Sequence, residues 1–93
     1  MITAGQLRAA RALLGIDQKT LAEMAGVSVP TIQRMEASQG NVRGVVDTLS
    51  KVVTALDRAG IELIGEQVPS IALGRGVRLK EPVPQAVSDD TAE

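Results

Sequence analysis

Gln33 and Arg34 are neighbours in the stretch SVPTIQRME, and both end in planar groups that can make two hydrogen bonds at once. A glutamine amide can meet adenine in a two-point contact, and a guanidinium can meet guanine in the same way. Val29 and the ring of Pro30 offer apolar surface of the kind that touches a thymine methyl. The competing reading for Gln33 and Arg34 is an ordinary polar surface. For Val29 and Pro30 it is a role in setting the entry of a helix. Other chemistries are closed. The chain has no Cys and no His, which excludes a Cys/His zinc site and Cys or His nucleophilic and acid–base chemistry. It has no aromatic residue either, which argues against stacking on single-stranded bases, as the lack of Cys does against disulfide staples. Gly74-Arg75-Gly76 is not a phosphate cradle, because no helix follows it. With no nucleophile–base pair and no metal cluster, neither an enzyme nor a cofactor is expected.

The elements that must position these residues are readable around them. Leu21, Ala22 and Ala25 form the stripe of a short helix, and Gly26 follows where that helix must stop. Val27 fills the turn, Ser28 can cap a new helix, and Pro30 falls in its first turn, where a missing N–H costs nothing. Ile32 and Met35 give the new helix, over roughly residues 29–37, its inward face. Ala22 keeps the crossing of the two helices close. Two short helices joined by such a turn are a helix-turn-helix, and a unit of this kind commonly lays its second helix in the DNA major groove. Upstream, Thr3 can cap a first helix, with Gln6 at the capping-box position. Leu7, Ala10 and Leu14 form its inner stripe, and Gly15 ends it. Arg8 on this helix reads as a phosphate contact or as a solvated charge. Asp17 can cap the second helix. Gln18 and Lys19 then stand at its positive end, where backbone N–H groups can hold a phosphate.

The residues Leu7, Arg11, Gly15, Gln18, Leu21, Ala22, Ala25, Gly26, Val27, Ser28, Thr31, Ile32 and Glu36 together resemble the XRE-type, lambda repressor/Cro-like DNA-binding family. The resemblance covers roughly Ile2 to Ala59. It implies a mainly α fold, a lambda-repressor-like domain of four to five helices. It implies that Arg11 pairs with Glu36 and ties the first helix to the third, and that Gln18 contacts a phosphate, with Lys19 adding charge. It implies Val29, Pro30, Gln33 and Arg34 as base readers, and Ser28 and Thr31 on base edges or phosphates. Pro30 replaces a polar residue often found in repressors, so the base code does not carry over. The loop from Ser38 to Gly44 would pass over the sugar-phosphate backbone, which makes Asn41 and Arg43 phosphate candidates.

The net charge of −1 looks wrong for a partner as anionic as duplex DNA. It is unevenly spread. Residues 1–45 sum to +2 and residues 46–93 to −3, so the acidity lies away from the proposed DNA face. A local basic patch suffices for phosphate contact.

Beyond the loop, Val45, Val46, Leu49, Val52, Val53 and Leu56 form a broad apolar stripe that predicts a fourth helix ending at Gly60. It should close the core, with surplus face for a second subunit. Ile61 to Ile64 and Val77 to Lys80 then alternate like strands, which predicts a C-terminal β-hairpin over residues 60–81. This ending resembles that of a small bacterial XRE-like subgroup. A lone hairpin is marginal, so it must pack on the helices or pair with another chain. Residues 82–93 read as a disordered acidic tail. The resulting expectation is a DNA-binding domain over residues 1–59 and a sequence-specific regulator of double-stranded DNA. It should be a homodimer through Val46, Leu49, Val53, Leu56, Ile61, Leu63, Val77 and Leu79. The alternative is an antitoxin-like or adaptor protein whose C-terminal region binds a protein partner. Apolar runs are short and no signal pattern opens the chain, so a cytoplasmic protein is expected.

Overall fold

A computed structural model of the chain describes residues 2–42 and 44–82. Arg43 and almost all of the predicted acidic tail lie outside the described residues. Four helices occur in order among those described: α1 (Ala4–Leu14), α2 (Gln18–Ala25), α3 (Val29–Glu36) and α4 (Val46–Arg58). Each boundary has a local cause. Thr3 Oγ1 accepts from Gln6 N at 3.0 Å while Thr3 N donates to Gln6 Oε1 at 2.9 Å, a complete capping box. Asp17 caps α2 by accepting from Thr20 N, and Ser28 caps α3 by accepting from Thr31 N. Gly15 and Gly26 end α1 and α2 at φ of 70° and 71°, left-handed values that cost an L side chain about 1–2 kcal/mol.

The core is aliphatic. Leu7, Leu21, Ile32, Met35, Val52 and Leu56 are wholly buried, and Ala4, Ala10, Ala22, Ala25 and Ala55 fill the close crossings between them. The small residues let α2 lie against both α3 and α4, while α1 holds the other side of α3. The loop after α3 is stitched back to the start of the chain. Ala4 N donates to Gly40 O and Val42 N to Ile2 O, both at 2.9 Å, around an isolated antiparallel bridge between Thr3 and Asn41.

The buried face of the fourth helix is shorter than the predicted stripe. Its buried face is Val52, Ala55 and Leu56, with Leu49 packed at the edge, while Val46 is 80% exposed. Thirteen residues span about 20 Å and the eight of α2 only about 12 Å, so α4 outruns the helix it packs on. Leu56, expected at an interface, is entirely inside the core and has no surface to offer a partner. Ile61 and Leu63 likewise pack, half-buried, against the helical core.

The predicted hairpin is not formed: no strand occurs among the described residues of 60–82. The helical unit runs through Leu63, and Ile64 onward belongs to a second unit. Every described residue from Gly65 on is exposed, so the 77–80 segment has no buried face to favour a ladder, while Ile61 and Leu63 in the other segment pack on the helices instead of a partner strand. A side chain closes this segment instead. Arg78 Nη1 donates to Val68 O at 2.6 Å and Nη2 to Gly65 O at 3.1 Å. No helix among the described residues is long and apolar enough to cross a membrane.

Candidate nucleic-acid interface

The third helix presents two unlike faces. Ile32, Met35 and Glu36 are buried, and Val29 packs half-buried at the edge of the core. Pro30, Gln33 and Arg34 are exposed on the opposite side. Ser28, Thr31 and Arg34 recur every three residues and are linked to one another. Ser28 Oγ and Thr31 Oγ1 are 2.8 Å apart, and Arg34 Nη2 donates to Thr31 Oγ1 at 3.4 Å. These bonds hold the guanidinium along the helix, and Gln33 next to it in sequence is exposed as well.

A buried charge fixes where that face points. The Glu36 side chain is 4% exposed and that of Arg11 21%, and they meet in a two-point pair. Arg11 Nε donates to Oε2 at 2.6 Å and Nη2 to Oε1 at 2.7 Å. Gln18 Nε2 adds a bond to Oε1 at 3.0 Å. Burial pushes the Glu36 carboxyl up, but the bonds from Arg11 and Gln18 and the charges of Arg11 and Arg8 outweigh it, so the group sits below its ordinary value. The bond to Glu36 raises Arg11 in turn, against the cost of its own desolvation. One residue at the end of α3 thus gathers partners from α1 and from the start of α2.

The remaining sequence-derived candidates fall around this helix pair. Gln18 is half-buried with its amide nitrogen committed to Glu36, and its backbone N–H lies in the first turn of α2, where no intrahelical acceptor is available. Lys19 is exposed next to it. Thr20 N and its hydroxyl, by hydrogen bonding, hold the Asp17 carboxyl below its ordinary value, so the cap of α2 stays ionised. Asn41 is exposed at the bridge with Thr3.

Arg8, exposed on α1, makes a contact its sequence position did not suggest. Its Nη1 donates to the backbone carbonyl of Glu36 at 2.5 Å, at the C-terminal end of α3. There the carbonyls lack intrahelical donors and the helix dipole favours a cation. Its three-residue spacing from Arg11, which already reaches Glu36, was the available signal.

A family model described as helix-turn-helix matches residues 7–59, which spans α1 through α4. The chain belongs to this family, the XRE/Cro-C1-type helix-turn-helix proteins. It is a DNA-binding domain, with α2 and α3 as the two helices of the motif. No curated protein and no solved structure matches the chain.

Proposed function

We propose that this helix-turn-helix protein is a sequence-specific transcriptional regulator that binds double-stranded DNA as a homodimer, with α3 in the major groove. The observation that carries the reading is the division of α3. Its inner side is anchored by Ile32, Met35 and Glu36, and its outer side offers Pro30, Gln33 and Arg34 together. Gln33 and Arg34 read base edges, Val29 and Pro30 supply apolar contact, and Ser28 and Thr31 serve base edges or phosphates. The start of α2 with Lys19, and Asn41 and Arg43 after α3, hold the backbone on either side.

A single such unit covers a half-site, and a two-fold dimer gains affinity by spanning two. Apolar surface left over between residues 45 and 80 supports the dimer. Val45 and Val46 project from the start of α4, Leu49 and Val53 are partly open, and Val77 and Leu79 are exposed further on. Selection of bound sequences from random duplex DNA at a stated salt concentration tests the proposal. Arg34→Ala and Gln33→Ala should each lose about 1–3 kcal/mol of discrimination at one base pair with an unchanged circular dichroism spectrum. Unaltered specificity in both variants would remove α3 from the groove.

A further inference from the structure

The densest run of positive charge in the chain lies outside the helix-turn-helix. Arg75, Arg78 and Lys80 fall within six residues that contain no acid, in a protein whose net charge is −1. The run sits in the second unit, where every described residue from Gly65 to Val83's neighbour Pro82 is exposed. The three cations are not equivalent. Arg78 is spent on the carbonyls of Gly65 and Val68, and so closes residues 65–78 into a loop. Arg75 and Lys80 have no hydrogen-bond or ion-pair partner among the described residues. Arg75 is flanked by Gly74 and Gly76, and a Cβ built on either glycine meets nothing within 4 Å. The guanidinium therefore stands on a narrow, bare stretch of backbone that a closed loop holds out into solvent.

We propose that Gly74-Arg75-Gly76 is a second DNA-contacting element, in which Arg75 enters the minor groove beside the half-site and Lys80 contacts an adjacent phosphate. The proposal rests on the duplex-DNA reading of α3 and extends it. The minor groove is about 6 Å wide, too narrow for a helix but open to an arginine on a backbone without neighbouring side chains. Narrow A·T-rich minor grooves concentrate negative potential and draw arginine into them, so this contact reads sequence through groove width. In extended backbone Lys80 falls on the side opposite Val77 and Leu79, so its phosphate contact and an apolar contact with a second subunit do not compete.

The test uses the full chain and the operator selected as above. Arg75→Ala, Arg75→Lys and Lys80→Ala are compared with the wild type by binding at several salt concentrations, minor-groove footprinting and sedimentation. Each Ala variant should flatten the salt dependence by about 0.9 in the log–log slope. Arg75→Ala and Arg75→Lys should both lose minor-groove protection and the A·T preference beside the half-site, since lysine keeps the charge but not the guanidinium. Dimerisation should be unchanged. An unaltered slope and footprint in Arg75→Ala overturns the proposal, as does a full wild-type footprint in Arg75→Lys, or an affinity loss that tracks loss of the dimer. If the wild type selects no duplex sequence, the reading of α3 fails. If it does and Arg75→Ala behaves identically, this inference alone fails.

Discussion

Breaking the Arg11–Glu36 pair from its two ends should have unequal costs, because the two side chains are unequally buried. Arg11→Ala leaves a carboxylate that is 4% exposed, with the Gln18 amide as its remaining side-chain donor. An uncompensated buried charge of this kind costs about 3–5 kcal/mol. Glu36→Ala leaves Arg11, whose side chain is 21% exposed and can turn its guanidinium to water. The loss is then nearer that of hydrogen bonds to a charged group, about 1–3 kcal/mol. Small domains are stable by roughly 0.05–0.15 kcal/mol per residue, so for the helical unit the larger figure approaches the whole margin. Urea titration followed by far-ultraviolet circular dichroism measures all three variants, including the double mutant. The expected result is that Arg11→Ala is the worst, the double mutant is better than the sum, and the coupling is about 0.5–3 kcal/mol. Glu36→Gln, which keeps the shape and can still accept a bond, provides a folded reference. Additive effects, or Glu36→Ala costing as much as Arg11→Ala, would refute the reasoning.

The same pair sets a pH dependence. Glu36 is held below its ordinary value in the folded protein, so its contribution is present above the unfolded carboxyl pKa of about 4.3 and is lost as pH falls through the lower folded value. Urea midpoints should be flat from neutral pH to about 5 and drop below about 4.3, and the drop should shrink in Glu36→Gln. Glycine substitutions should split in sign. Gly26→Ala should destabilise by about 1–2 kcal/mol through its φ of 71° alone, since its Cβ would meet nothing. Gly5→Ala, inside α1 with ordinary contact to Thr3 at 3.8 Å, should stabilise by about 0.4–1 kcal/mol. Thermal melts of both check this. Truncation after Leu63 should keep the helical fold and, if the proposed dimer forms, lose it in sedimentation, whereas truncation after Gly60 should also lower stability, because Ile61 and Leu63 pack on the core.

The helix-turn-helix was legible because its determinants are local. A capping serine, a glycine that must turn left-handed and a proline in a first turn act within a few residues, and all three stand where the spacing put them. The Arg11–Glu36 contact came from resemblance, since nothing in the spacing of two residues so far apart in sequence announces it. The extent of α4's buried face depends on the length of the helix beneath it, which the stripe of valines and leucines does not encode. The alternation at 61–64 and 77–80 is half of a strand's requirement. The other half is a neighbouring backbone and a buried face, which sequence period cannot supply. The bond from Arg8 to Glu36 was not legible for a related reason: its acceptor is a main-chain carbonyl, and carbonyls leave no mark on a sequence.

Arg8 and Arg11 hold the same residue by different handles, and the difference matters for DNA reading. Arg11 takes the carboxylate of Glu36, a contact that depends on its ionisation, while Arg8 takes the backbone carbonyl, which does not titrate. The final turn of α3 is therefore fixed to α1 twice over. Three residues earlier in that helix stands Gln33 and two earlier Arg34, so a small rotation at Glu36 moves both planar groups. The aliphatic core sets the distance of α3 by volume, and hydrogen bonds add a direction. Here two α1 guanidiniums supply the direction. On this argument Arg8 is a positioning residue for the final turn of α3.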